Sequence, residues 1–180
     1  MRLPDLLAAS ATAAGPAPLL IERDQAVSYA AVDRSATRCA WLLRRSGVLP
    51  GDRVVVALEN GAVMVSAYFG VMRAGAVAVP LPPGPRSDRL PAAVADCRPA
   101  AAIVDEPTAR AMGPRGVFDG VRAVFVVGNA DSSLAPFLDF DTALAASDEA
   151  LPAVDGSDSD LAAIVYTSGS TGEPRGVMLS

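Results

Sequence analysis

Residues 53–80 read RVVVALENGAVMVSAYFGVMRAGAVAVP, and their patterning decides the architecture. Residues 54–58 are apolar without a break and lack the polar alternation of a half-exposed strand, as expected for a strand covered on both faces. Asn60 is placed to cap a helix running to Arg73, Gly75 to stop it, and residues 76–79 make a second apolar strand. Strand, helix, strand in this order is a right-handed crossover unit with parallel strands. The expected class is therefore α/β, a layered and partly parallel sheet with flanking helices. The apolar stretch 62–80 is long enough to raise a membrane span. Arg73 falls inside it and Gly70 and Gly75 punctuate it, so no membrane span is expected.

Upstream, residues 19–22 and 26–29 flank Arg23, Asp24 and Gln25 and predict a hairpin. From Tyr29 the positions of Val32, Ala36, Cys39, Ala40 and Leu43 recur at three- and four-residue steps, with Ser28 as cap and Gly47 as a left-handed stop. This predicts an amphipathic helix of about five turns. The alanine-rich N-terminus faintly suggests a secretory signal, but Pro4 and Asp5 interrupt the apolar run, and a short entering helix is expected instead.

Downstream, Leu81-Pro82-Pro83-Gly84-Pro85 excludes regular structure, because proline fixes φ and withdraws a donor. Ser87 is expected to cap a helix reaching Cys97, followed by a strand over 101–104, a short helix near 108–112 and a strand over 121–127. Residues 128–160 shift toward Asp, Ser, Ala and Pro and read as a surface excursion. Phe137 and Phe140 are its only large anchors, and a short helix is expected at 141–147. Its acids Asp139, Asp141, Asp148, Glu149, Asp155, Asp158 and Asp160 read as scattered solvated carboxylates rather than a cation site.

Composition removes several chemistries. The 180 residues carry a formal charge of −5, all fifteen basic residues are arginine, and histidine is absent. No Ser-His-Asp or Cys-His relay can be assembled without histidine. The acidic balance, with no basic cluster beyond Arg44-Arg45, argues against a nucleic-acid partner. Cys39 and Cys97 are far apart with no histidine to complete a zinc site, so free thiols in a reduced, cytoplasmic compartment are expected.

One stretch is dense enough in chemistry to name a ligand. An apolar strand at 161–166 delivers the chain into Thr167-Ser168-Gly169-Ser170-Thr171-Gly172. Gly169 and Gly172 allow positive φ and close backbone approach, so successive N–H groups can form an anion nest ringed by four hydroxyls. Pro174 stiffens the exit, and Arg175 adds a permanent charge with forked donors. A Ser/Gly linker is the bland alternative, yet linkers are rarely framed by apolar segments such as Gly176-Val177-Met178-Leu179. The motif is not a P-loop, since the chain has no lysine, nor a dinucleotide fingerprint, nor a nucleophile elbow.

The stretch YTSGSTGEPRGVML, residues 166–179, resembles the phosphate loop of the adenylate-forming enzymes, with Arg175 where that superfamily usually carries lysine. The resemblance extends to the opening helix, to VSYAAVDRSATRCAWLLRRSGVLPGDRVVVALENG and to GVMRAGAVAVPLPP. It implies attack of a carboxylate on the α-phosphate of Mg-ATP, release of pyrophosphate, and capture of the acyl adenylate by a thiol. It implies ATP and Mg2+ as cofactors, a carboxylic acid as substrate, and an acyl carrier protein or CoA as thiol partner. Thr167, Ser168, Gly169, Ser170, Thr171, Gly172, Arg175 and Gly176 are the ATP-binding residues it implies. The catalytic lysine, the magnesium ligand and the ribose-binding aspartate of the superfamily are expected beyond residue 180.

Residues 1–180 would thus be the N-terminal part of an AMP-binding domain, without its remainder and small lid domain. The proline-rich turn and arginine-leucine helix within AVAVPLPPGPRSDRLPAAVADCRPAAAIV most resemble fatty acyl-AMP ligases. An amino-acid-activating domain of a nonribosomal synthetase, or a non-catalytic piece with at most weak nucleotide binding, are the alternatives. Such a piece alone is expected to expose apolar surface.

Overall fold

The computed structural model describes residues 2–148, 156–168 and 174–180. Helix α1 (Leu3–Ala14) begins with Pro4 in its first turn, where a missing N–H costs nothing, and buries Leu7 against Val32 and Ala36. Strands β1 (Pro18–Glu22) and β2 (Gln25–Ser28) pair antiparallel around Arg23 and Asp24. Both turn residues take positive φ, +48° and +64°, matching the right-handed twist of a tight hairpin. Ser28 then accepts the Ala31 N–H at 3.2 Å and starts α2 (Tyr29–Arg45), and Gly47 at φ +82° turns the chain out of it, as the sequence predicts.

The crossover unit follows as β3 (Arg53–Ala57), α3 (Ala62–Arg73) and β4 (Val77–Pro80). After it come α4 (Arg89–Cys97), β5 (Ala101–Asp105), α5 (Glu106–Met112) with a 3-10 turn at Gly113–Arg115, and β6 (Ala123–Val127). The 3-10 turn Ser132–Leu134, β7 (Leu138–Asp139), α6 (Phe140–Ala145), β8 (Ala163–Ser168) and β9 (Pro174–Leu179) complete the order. The main sheet runs β7-β6-β5-β3-β4-β8-β9, parallel throughout except for β9, which lies antiparallel to β8 at the edge.

Two apolar layers result from the period of two along the strands. Val54, Val56, Ala78, Ile103 and Phe125 face α2, α3 and α6, whereas Val55, Ala57, Val79, Ala102 and Val104 face α4 and α5. The unbroken apolar reading of 54–58 has its physical cause here, because β3 sits mid-sheet with helices on both sides.

Three local expectations are corrected. Asn60 does not cap α3: Gly61 holds the N-cap position and donates no side chain, and Glu22 from the hairpin accepts the Ala62 N–H at 3.3 Å. Ser87 does not cap α4 either. Its hydroxyl donates to the Pro82 carbonyl at 2.9 Å, so it closes the proline-rich loop, and Asp88 precedes the helix. Residues 128–160 are not all surface excursion, since β7 extends the sheet beside β6 and Phe140 is 1% exposed in the core. Asp139, read as solvated, accepts the Thr142 N–H at 2.7 Å and caps α6.

Candidate functional site

Strand β8 enters the sheet beside β4 through one ladder position, Ala78 opposite Ala163, where the Ala78 N–H donates to the Ala162 carbonyl at 3.0 Å. From there β8 continues next to β9 in unbroken register, from Ala163 opposite Leu179 to Ser168 opposite Pro174. Residues 169–173 join the two strand ends, so Gly169, Ser170, Thr171 and Gly172 lie outside the described residues. Of the remaining expected site residues, Thr167 and Arg175 are directly opposed across the ladder and both exposed. Directly opposed residues share a face of the sheet. The hairpin therefore brings one hydroxyl and one guanidinium together at its outer end, and among the described residues that guanidinium pairs with no carboxylate.

Gly176, expected at the exit of the cradle, lies opposite Tyr166. A Cβ there would come within 2.7 Å of Ile164 Cγ2 and 3.4 Å of Tyr166 Cζ. Its missing side chain thus makes room for the other face of the hairpin, where Tyr166 packs toward α4.

The Tyr166 hydroxyl donates to the Asp96 carboxylate at the end of α4. Burial foremost, and this hydrogen bond after it, raise the phenol above its ordinary range. Beside it, burial pushes the Cys97 thiol up to about 11. Arg53 Nε donates to the Cys97 carbonyl at 2.8 Å and Nη2 to the Arg98 carbonyl at 3.2 Å, satisfying carbonyls at the C-terminus of α4 where Arg98 turns left-handed at φ +45°. None of Arg53, Asp96 and Tyr166 is singled out by the sequence reading. Only the tyrosine's place next to Thr167 hinted at it, because Asp96 is seventy residues away and no local spacing links them.

Among the described residues no group of three or more His, Cys, Asp or Glu converges. Cys39 and Cys97 are both free and buried, on opposite faces of the sheet. No helix among the described residues is long and apolar enough to cross a membrane.

Comparison with known proteins adds what geometry alone does not decide. The AMP-binding enzyme profile matches residues 7–180. The chain belongs to the AMP-binding enzyme family. This AMP-binding chain is 28% identical over 179 residues to surfactin synthase subunit 1 of Bacillus subtilis (strain 168), covering 99% of this chain and 4% of that protein. It is 33% identical over 172 residues to novobiocin biosynthesis protein H of Streptomyces niveus, 91% of this chain and 26% of that protein. The AMP-binding chain therefore spans a minor part of the length of the curated relatives it matches.

Among solved structures, VinN in complex with 3-methylaspartate is 32% identical with a TM-score of 0.80, over 99% of this chain and 47% of that one. The anthranilate CoA ligase AuaEII in complex with anthranoyl-AMP shares the fold at a TM-score of 0.89 and 23% identity, over 99% of this chain and 34% of that one. The mainly parallel sheet with flanking helices is thus the family's arrangement in this AMP-binding chain.

Proposed function

We propose that the protein carrying this chain activates a carboxylic acid with ATP as an acyl adenylate for transfer to a thiol. A carboxylate oxygen bonds to the α-phosphorus, the bond from that phosphorus to the bridging oxygen breaks, and pyrophosphate leaves. A carrier-protein or CoA sulfur then bonds to the acyl carbon and AMP departs. Residues 1–180 act as the N-terminal part of the AMP-binding domain, in a cytoplasmic setting that suits two free thiols.

The observation that carries this reading is family membership over 7–180 together with the opposed pair Thr167 and Arg175 at the mouth of the Gly-Ser-Thr stretch. Thr167 to Gly172 would hold the departing pyrophosphate, and Arg175 and Gly176 would border it. Fixed N–H donors and a cation stabilise charge where it develops on the leaving group, which is the largest electrostatic gain available to such a site. Mg2+ would accompany ATP through ligands supplied elsewhere in the protein.

Two acid classes are favoured by different observations. The resemblance of the proline-rich turn at 81–85 and the arginine-leucine helix after it to fatty acyl-AMP ligases supports a fatty acid. The relatives support an amino acid: VinN, 32% identical, is seen with 3-methylaspartate and with L-aspartate. ATP–pyrophosphate exchange by the protein carrying this chain, run against panels of fatty, aryl and amino acids, tests the reading. Exchange with one class assigns the substrate, and no exchange with any acid removes the proposal.

A further inference from the structure

Among the described residues, the outer half of the β8–β9 hairpin makes no ladder pairing with the rest of the sheet. Among the described residues, Ala78 opposite Ala163 is the one ladder position that joins β8 to β4, and β9 is the last strand in the sheet order. Val177 and Leu179 on one face of β9 are each 46% exposed and Met178 on the other is 72% exposed, so the described residues bury little of this strand's apolar surface. A free two-stranded ribbon is marginal by itself. Yet Thr167 and Arg175 sit on this ribbon, and a phosphate contact tolerates little misplacement.

Among the described residues, Tyr166 carries a polar connection from the ribbon to α4. The Tyr166 ring, 9% exposed, lies with Ile164 over Gly176, and its hydroxyl donates to the Asp96 carboxylate at the end of α4. Asp96 is held in turn, because α4 ends in a left-handed turn at Arg98 whose carbonyl, like that of Cys97, accepts from Arg53 at the start of β3. The chain of contacts runs from mid-sheet β3 through α4 to Tyr166, one residue before Thr167 and directly across from Gly176, the neighbour of Arg175.

From this geometry we infer that Asp96 and Tyr166 are positioning residues that tie the β8–β9 hairpin to α4 and so set Thr167 and Arg175 for the polyphosphate of ATP. The inference rests on the reaction proposed above and deepens it. Neither side chain touches a reacting atom. The pair acts by limiting the places the hairpin end can occupy, and loss of the hydroxyl therefore weakens ATP binding more than it weakens folding.

The test uses the protein carrying this chain, in its whole length. Tyr166→Phe keeps the ring and its packing and removes only the donor. It is expected to raise the KM for ATP in pyrophosphate exchange about tenfold, with a fall in kcat of less than about threefold and little change in melting temperature. Asp96→Ala should match it, Asp96→Asn, which keeps an acceptor, should lose less, and the double variant Asp96→Ala/Tyr166→Phe should lose no more than either alone. Amide hydrogen exchange should quicken in β8 and β9 of Tyr166→Phe and stay unchanged in α4. An unaltered KM for ATP, or a loss of activity that merely tracks a lower melting temperature, overturns the inference. If the parent protein exchanges pyrophosphate with no acid, the reaction reading falls by itself. Hairpin exchange then still decides the tie, and unchanged rates in Tyr166→Phe refute it.

Discussion

Arg73 Nη2 lies 2.6 Å from Asp33 Oδ1, binding the last turn of α3 to the first turns of α2. The same guanidinium donates through Nη1 to the Asp33 carbonyl at 3.0 Å and to Thr37 Oγ1 at 2.5 Å. Both partners are mostly covered, at 16% and 25% side-chain exposure, so the charge of Asp33 has lost part of its water and depends on Arg73. Arg73→Ala is expected to lower the unfolding free energy by about 1–3 kcal/mol in urea titration, and Arg73→Lys by less, since lysine keeps the charge but loses the fork. An alanine variant as stable as the parent removes the clamp.

The two helices also meet at Gly70. A Cβ there would fall 2.7 Å from Cys39 Cβ and 2.9 Å from the Ala36 carbonyl oxygen, closer than real atoms approach. The contact involves backbone of α2, which cannot swing aside as a flexible side chain would. Gly70→Ala is therefore expected to cost about 1–3 kcal/mol despite the better helix propensity of alanine, and Gly70→Val more. Thermal denaturation of the two variants checks the order.

Burial pushes the Cys39 thiol up to about 12 and the Cys97 thiol up to about 11. Native protein at pH 8 should react with Ellman's reagent far more slowly than unfolded protein, where a free thiol titrates near pH 8.5. The linkage has a definite sign. Above about pH 8.5 the unfolded chain releases these protons while the native chain still holds them, so stability declines as pH rises from there through about 11 to 12. A Cys39→Ala/Cys97→Ala variant should show a shallower alkaline decline in chemical denaturation, and an identical slope contradicts the assignment.

Arg175 stands on β9 opposite Thr167 and is exposed. Arg175→Ala is expected to lower pyrophosphate exchange by about ten- to a hundredfold, the worth of one charge-assisted hydrogen bond, and Arg175→Lys to stay within about threefold of the parent. Equal exchange by the parent and the alanine variant takes this residue out of the phosphate site.

The readable parts of the fold are those coded over short spans. Val54, Val55 and Val56 announce a strand covered on both faces, Ser28 and Gly47 mark the ends of α2, and Arg23-Asp24 sits where the hairpin turns. Caps supplied from a distance were not readable. Asn60 and Ser87 carry the right side chains in the right places, but Glu22 reaches the first turn of α3 from forty residues upstream and Ser87 is drawn to Pro82. Likewise Phe140 looked like an isolated anchor in a polar stretch, and only its edge-to-face contact with Phe125, ring centroids 6.4 Å apart, shows why β7 and α6 belong to the core.

For the site, residue types and their order in 166–179 determined what can be read from the sequence: a glycine- and hydroxyl-rich stretch, expected to form an anion nest, with one adjacent arginine, in the AMP-binding family. Those properties are local, since an anion nest needs only successive N–H groups with small side chains. Tertiary structure decided what the strands flanking residues 169–173 pack against. It set Thr167 against Arg175 across a ladder, gave Gly176 a packing role, and joined Tyr166 to Asp96. These relations depend on strand register and on how α4 lies over the sheet, which arise from burial summed across the whole core and leave no periodic trace in the chain.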